Sequence, residues 1–259
     1  MAEHLSELCA FAESLADESR RIILQYWRQD PEVADKADES PVTVADRTAE
    51  AAIRERIDAR FPNHGIAGEE FGKVRLGAEY VWSIDPIDGT KAFISGSPLF
   101  GTLIALLHDG RPVLGLIDVP ATSERWLGAE GLGAMHNGHQ VRPRIGRALG
   151  QAVSGSTSPS MFTGQDAERL RRVHERIKLP VWGGDCYLYG LLSLGTIDLV
   201  IEAGLSDHDY LAPAALLQAG GGIVTDWKGA PLGLGTSDRV IAAGDPVLHA
   251  EVIRLLGNG

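Results

Sequence analysis

Apolar residues recur at helical spacing near the start of the chain, with Leu5, Leu8, Ala12, Leu15 and Ser19 on one face, so residues 4–28 are expected to form a long helix. Residues 30–40 are charged and Pro-bounded, the pattern of a loop or hairpin. Thr43 suits an N-cap, and Ala49, Ile53 and Ile57 make a second helical stripe that Pro62 stops. The pattern then turns strand-like, with runs at 80–84, 100–107, 113–119, 125–129 and 133–137. His108-Asp109-Gly110 and Asn137-Gly138 are turn signals between them. An antiparallel meander with two helices packed on it is the expected form of this half.

The pattern changes around residues 142–150. Strand-like runs at 152–155, 181–183, 197–202, 222–226 and 239–243 alternate with helical stretches near 165–178, 186–195, 210–219 and 246–256. Asp245-Pro246 marks the last helix start, an N-cap followed by Pro at the first helical position. The fold class expected is therefore α+β followed by α/β. The expected division is an N-terminal α+β domain over residues 1–145 and a C-terminal α/β domain over 146–259. No internal repeat is visible.

Composition narrows the function classes. The chain has 259 residues, 44% of them apolar and 23% charged, enough for a substantial core. Its 31 glycines point to many tight turns and close backbone approaches. A net charge of −11 argues against nucleic acid as a partner, since a general binder carries a basic field. The densest basic stretch, 169–178, interleaves Leu170, Val173 and Ile177 at helical spacing, the pattern of a solvated helix face. Cys9 and Cys186 make neither a metal spacing nor a disulfide framework. The N-terminal stretch is amphipathic and acidic rather than basic-then-apolar, and no apolar run is long enough to span a bilayer. A cytoplasmic protein with no membrane partner is expected.

Candidate chemistry centres on Asp85-Pro86-Ile87-Asp88-Gly89-Thr90 and the upstream Gly68-Glu69-Glu70-Phe71. Two aspartates around a Pro-Ile step at a strand end, beside two glutamates, have the oxygen donors a hard divalent cation needs. Two such ions can clamp the attacking and leaving oxygens of an in-line displacement. Pro86 stiffens the turn and presents the Ile87 carbonyl as a further oxygen, and Gly89 lets backbone N–H groups face an anion. Taken alone, these six residues read equally well as an Asp-rich turn.

The longer pattern, Gly68-Glu69-Glu70 followed by Trp82-x-x-Asp85-Pro86-Ile87-Asp88-Gly89-Thr90, resembles the first signature of the inositol monophosphatase family. That family's second signature, roughly W-D-x-A-A…E-A-G-G, is similar to His208-Asp209-Tyr210-Leu211-Ala212-Pro213 with Gln218-Ala219-Gly220-Gly221-Gly222. The resemblance implies a layered αβαβα sandwich, two or three Mg²⁺ ions and a small phosphorylated metabolite as substrate. It also implies a homodimer. Glu69, Asp85, the Ile87 carbonyl, Asp88 and Asp209 match the metal ligands, with Asp209 equally readable as a helix N-cap. Asp46 and Thr90 match the pair that orients and helps activate the attacking water, and Glu70 stands beside the ligand glutamate. Gly89, Thr90 and Lys91 would contact phosphate, although Lys91 also reads as solvent-facing. His208 in place of Trp, Ala92 in place of Asn, and Pro213, which would cost one N–H in the first helical turn, depart from the family pattern. None of the three removes a ligand.

The ester is read from the second half. Trp182-Gly183-Gly184-Asp185-Cys186-Tyr187-Leu188-Tyr189-Gly190, with Glu202-Ala203-Gly204-Leu205 and Asp207-His208-Asp209-Tyr210, is similar to the histidinol-phosphatase branch. Asp185 and Glu202 could pair with the ammonium and imidazole of L-histidinol phosphate. Asp185 also reads as an N-cap, His208 as an imidazole-stacking partner or a loop residue, and Tyr187 and Tyr189 as packing. Direct hydrolysis by an activated water follows, since no nucleophile signature is present. An inositol-, sugar- or nucleotide 3′-phosphatase and a metal-dependent binding module are the rival readings.

Overall fold

A computed structural model describes residues 2–28, 33–35 and 41–257. The elements run α1 (Ala2–Ile23), β1 (Val33–Asp35), β2 (Pro41–Thr43), α2 (Val44–Arg60), β3 (Gly65–Gly68), β4 (Lys73–Val74), β5 (Tyr80–Asp88), α3 (Thr90–Ile94), β6 (Gly101–His108), β7 (Arg111–Val119), β8 (Glu124–Ala129), β9 (Gly133–His136) and β10 (His139–Val141). They continue with β11 (Val153–Ser156), α4 (Gln165–His174), β12 (Leu179–Trp182), α5 (Tyr187–Ser193), β13 (Leu199–Ala203), α6 (Asp207–Ala219), β14 (Ile223–Thr225), β15 (Arg239–Ala243) and α7 (Pro246–Gly257). Of the loop or hairpin expected at 30–40, only β1 is described, paired antiparallel with β2; the rest lies outside the described residues. No described helix is long and apolar enough to cross a membrane.

Period-two alternation builds the first sheet, ordered β10-β9-β8-β7-β6-β5-β3-β4. On β6, Ile104 and Leu106 join the cluster formed with Leu8, Leu15, Ile53 and Ile57 of α1 and α2. Leu103, Ala105 and Leu107 face the other way, into the cluster that holds Leu188 of α5 and Leu211 and Leu217 of α6. That second cluster also takes Val200 and Val240 from the second sheet. The outer face of the second sheet packs Leu199, Ile201 and Ile241 against Leu170 of α4 and Val252 of α7. The resulting layers are αβαβα, as the family pattern implies. Gly115 and Gly128 allow α6 to lie this close, because a Cβ at Gly128 would sit 2.7 Å from the Leu216 Cα.

Three expectations are corrected. The first sheet is not purely a meander: β3 pairs parallel with β5, while β4 hairpins onto its outer edge. Helix α1 stops at Ile23 rather than 28, because Gln25 and Tyr26 N–H turn back to the Ile22 and Ile23 carbonyls. That bend brings Trp27 to Phe100, with ring centroids 5.7 Å apart. Helix α6 begins at Asp207, ahead of the expected 210, so Pro213 falls in its second turn and offers no N–H to the Asp209 carbonyl.

The second sheet, ordered β12-β11-β13-β15-β14, is parallel from β12 to β13 and antiparallel beyond. The basic stretch lies largely on α4 with Leu170 and Val173 buried beneath it, as its spacing suggests. Asp245 caps α7, its Oδ1 accepting the Val247 N–H at 2.7 Å.

Candidate active site

The site begins with a break in β5. Asp85 pairs with Leu103 and Asp88 with Gly101, so β5 carries one extra residue there. In a regular strand residues 85 and 88 would face opposite sides of the sheet; the bulge turns both carboxylates the same way. Carboxylate oxygens of Asp85, Asp88 and Asp209 lie within 4.8 Å of one another. The loop is pinned from several directions. The Ile87 N–H donates to Asp85 Oδ1 at 3.0 Å, and Thr102 Oγ1 donates to the Pro86 carbonyl at 2.8 Å. Thr90 Oγ1 donates to the Ile87 carbonyl at 3.2 Å, and the Cys186 N–H to Asp88 Oδ2 at 2.6 Å.

Parallel pairing of β3 with β5 carries the glutamates to the same place. Gly68 is registered with Ile84, and the Glu69 N–H continues to the Ile84 carbonyl at 3.3 Å. Glu50 then clamps the loop: its Oε2 accepts from the Glu70 N–H at 2.7 Å, and its Oε1 from the Phe71 N–H at 3.1 Å and Arg54 Nε at 2.6 Å. A Cβ at Gly68 would collide with Glu50 Oε1, which explains the glycine before the two glutamates. Asp46, one turn before Glu50 on α2, forms a second close triplet with Glu69 and Glu70. Arg47 lies 3.8 Å from Glu70 Oε2.

The second half closes the site through the start of α6. Asp209 is the third residue of a capping box with Ser206, whose N–H donates to Asp209 Oδ2 at 2.7 Å. It therefore caps by reaching back rather than by standing at the N-cap. His208, expected as a loop residue or a stacking partner, lies inside α6, and a ring nitrogen forms a third close triplet with Glu69 and Asp85 oxygens.

These carboxylates disturb one another. Burial first, then Glu69, Asp88, Asp209 and Asp46, push Asp85 well above the ordinary carboxylate range. Burial, Asp185 and Asp209 do the same to Asp88 against the Cys186 hydrogen bond. Burial also raises Asp209, partly offset by His208 and the Ser206 N–H. An oxygen-rich donor set with buried, mutually repelling charge suits a hard divalent cation, which would restore the ionised forms.

A cavity of about 420 Å³ opens over these groups, lined by Glu69, Asp88, Gly89, Thr90, Lys91 and Asp209 on one side and by Asp185 and Glu202 on the other. Gly89 has φ 81°, the left-handed conformation that glycine favours, and a Cβ there would lie 3.1 Å from the Leu99 carbonyl oxygen. Asp185 also has a positive φ, 45°, and Cys186 rather than Asp185 stands at the N-cap of α5. Its carboxyl is pushed up to about 6, chiefly by burial and Asp209, against the pull of Lys91. Glu202 is pushed up to about 8 by burial, although Thr157 donates to its Oε1 from both N–H and hydroxyl at 2.8 Å. Its Oε2 is buried without a hydrogen-bond partner.

Glu69, Asp88, Gly89, Thr90, Lys91, Asp185, Glu202 and Asp209 thus line one cavity, while Asp46, Glu70, Asp85 and Ile87 join these through the close triplets and the Thr90 hydrogen bond. Three contributors were not foreseen. Glu50 was open to discovery, since it sits one helical turn after Asp46. Thr157 lies in a Ser-Thr-Ser run just after β11, which carries no chemical signature of its own. Tyr189, read as packing, lines the cavity with its hydroxyl buried and unpartnered. Tyr187 does pack, and its hydroxyl donates to Glu124 Oε2 at 2.8 Å.

The chain is similar to known proteins over nearly its whole length. The model of the inositol monophosphatase family matches residues 4–258. The chain is 43% identical to the bifunctional phosphatase IMPL2 of Arabidopsis thaliana, over 97% of this chain and 75% of that protein. It is 34% identical to the histidinol-phosphatase of Mycobacterium tuberculosis, over 94% of each. Among solved structures, an inositol monophosphatase from Zymomonas mobilis superimposes with a TM-score of 0.90 at 41% identity, covering 97% of this chain and 98% of that one.

Proposed function

The chain belongs to the inositol monophosphatase family, and from that premise we propose that it is a Mg²⁺-dependent phosphate monoester hydrolase acting on L-histidinol phosphate. Family members are phosphatases acting on small phosphorylated substrates, and they use divalent metals. The observation that carries the finer reading is the pair Asp185 and Glu202. They are one buried carboxylate, Glu202, and one half-buried, Asp185, on the cavity wall, outside the triplets among the described residues in which a cation could be shared. A ligand with an ammonium and an imidazole would complete them, and the open Oε2 of Glu202 has nothing else to accept.

Glu69, Asp85, the Ile87 carbonyl, Asp88 and Asp209 would hold Mg²⁺. When bound, two or three such ions neutralise phosphate charge and make a water acidic enough to attack. Thr90 donates its hydroxyl hydrogen bond to the Ile87 carbonyl, which leaves its lone pairs to accept a hydrogen bond from the attacking water. Asp46 stands as the carboxylate that takes the proton, and Glu70 holds the geometry beside Glu69. Gly89, Thr90 and Lys91 receive the phosphate. The same reading takes the protein as a cytoplasmic homodimer built of two units divided near residue 145.

A polyol phosphate is the second reading, supported by the hydroxyls of Thr157, Ser158 and Ser160 along the same cavity. Phosphate release from histidinol phosphate, inositol 1-phosphate and adenosine 3′,5′-bisphosphate, with Mg²⁺ and with EDTA, separates these readings. Histidinol phosphate should be preferred, and Asp185→Asn should cut that preference about tenfold or more, or about 1.4 kcal/mol, while simple esters are still hydrolysed. An unchanged preference in Asp185→Asn would remove the assignment of Asp185. No Mg²⁺-dependent release from any ester would favour a binding module.

A further inference from the structure

His208 is left unused by the reading above, yet its ring is held among the acids. It is the second residue of α6, directly before Asp209, with 21% of its side chain exposed. One of its ring nitrogens and one carboxylate oxygen each from Glu69 and Asp85 lie within 4.8 Å of one another. Bonds of about 2.1 Å in octahedral geometry place adjacent donors about 3 Å apart and opposite donors about 4.2 Å apart, so three donors in this span can close on one ion by small side-chain movements. Nε2 lies 3.6 Å from Asp209 Oδ1, an ion-pair distance when the ring is protonated but beyond a hydrogen bond, so no hydrogen bond between the two holds the neutral ring away from Glu69 and Asp85.

Position argues against a substrate contact. His208 does not line the cavity that holds Asp185 and Glu202. It lines a separate opening of about 610 Å³, with Gly68, Glu69, Lys73, Ser206 and Asp207, which reaches the same glutamate from another side. Glu69 is common to both openings, and Asp85 is common to the triplets with His208 and with Asp88 and Asp209. The imidazole therefore meets Glu69 and Asp85 from an opening other than the one that holds Asp185 and Glu202.

We propose that His208 is a nitrogen ligand to the divalent cation held by Glu69 and Asp85, giving this chain one mixed nitrogen–oxygen metal position beside the all-carboxylate one at Asp85, Asp88 and Asp209. The inference rests on the reading that the acidic triplets hold divalent cations. Imidazole favours borderline ions over Mg²⁺, and affinity rises along Mn²⁺, Fe²⁺, Co²⁺. The mixed position thus prefers Co²⁺ to Mg²⁺ more strongly than carboxylates alone would.

Pulsed electron paramagnetic resonance of the full chain loaded with Mn²⁺ tests the bond without reference to turnover. Imidazole ¹⁴N modulation is expected in the natural protein and should be absent from His208→Phe. Calorimetric titration should show Co²⁺ affinity at one position falling about tenfold or more in His208→Phe, with Mg²⁺ affinity changed by less than about threefold. Bound Mn²⁺ without ¹⁴N modulation in the natural protein, a measurement independent of how the variant folds, overturns the His208 assignment alone. Unchanged Co²⁺ affinity in a folded His208→Phe does the same. Failure of the natural protein to bind either Mn²⁺ or Co²⁺ overturns the divalent-cation reading as well.

Discussion

Two acidic regions face one another across the cavity, and their carboxylates are perturbed in different ways. On the floor, Asp85 is buried and Asp88 half-buried, Asp85 pushed up partly by the acids that converge with it and Asp88 partly by Asp185 and Asp209. On the wall, Glu202 is raised to about 8 chiefly by burial, with one oxygen accepting two hydrogen bonds from Thr157 and the other without a partner. Convergence creates a charge that a small multivalent cation relieves best. Separation with an open lone pair creates a demand that a hydrogen-bonding or cationic organic group can meet. The same residue types therefore serve different ligands, and what decides is how many acids share a point.

The largest test removes a floor charge and keeps its shape. In Asp88→Asn the amide oxygen can still accept the Cys186 N–H, so the link between floor and wall survives. Activity with Mg²⁺ should fall about a thousandfold, or about 4 kcal/mol, on every ester tried. Asp185→Asn should instead change the choice of ester. If Asp88→Asn stayed within tenfold of the natural rate, or altered selectivity without slowing hydrolysis, the division of labour would be wrong.

How far each region is legible in the sequence follows from the same contrast. Strands such as β6 and β7 are near-continuous apolar runs and are easily read, because both faces meet an apolar layer. Asp85 and Asp88 are close in sequence and share a recognisable turn, so the core of the floor is legible locally. The floor's completion is not. Glu69 reaches Asp85 through the parallel β3–β5 pair, and β3 is Gly65-Ile66-Ala67-Gly68, a run too short and glycine-rich to announce a strand. The clamp by Glu50 and the approach of His208 are likewise contacts between distant segments, with no local pattern to reveal them. The wall is harder still. Asp185 fits an N-cap by sequence, and only the left-handed backbone at 185 shows that the cap lies one residue later.

A smaller effect, read in stability, separates the regions through their response to pH and metal. Glu202 is raised from its ordinary 4.5 to about 8, so between those values the unfolded chain ionises while the folded one stays protonated. The stabilising difference is fully present below pH 4.5, is lost as pH rises, and is gone above about 8. Glu202→Gln has no such loss. Relative to the natural protein it should gain stability from pH 5 to pH 9, by on the order of 4 kcal/mol. Denaturant melts of both proteins across this range measure it. Saturating Mg²⁺ should suppress the pH dependence contributed by Asp85 and Asp88 but leave the Glu202 difference in place. A gap between the two proteins that is flat with pH, or that Mg²⁺ abolishes, would place Glu202 with the floor.

The smallest effect concerns how the halves are tied. Lys73 Nζ, on β4, lies 2.8 Å from Asp207 Oδ2 at the start of α6, crossing from the glutamate loop to the helix that carries Asp209. Burial raises Asp207, but hydrogen bonds from Lys73, the Gly235 N–H and the Tyr210 hydroxyl hold it below the ordinary carboxylate range. Lys73→Met leaves Asp207 with the latter two partners, at 2.6 and 2.9 Å. Lys73 is half exposed, so the pair contributes at most about 1 kcal/mol, less in high salt, and the melting temperature should drop by no more than about 3 °C. Rate and ester preference should both stay within about twofold, because the apolar packing of α6 against the first sheet already fixes Asp209 over the floor. A loss of Mg²⁺ affinity as large as that of Asp88→Asn would mean that the exposed pair, and not the buried layer beneath it, sets the register between floor and wall.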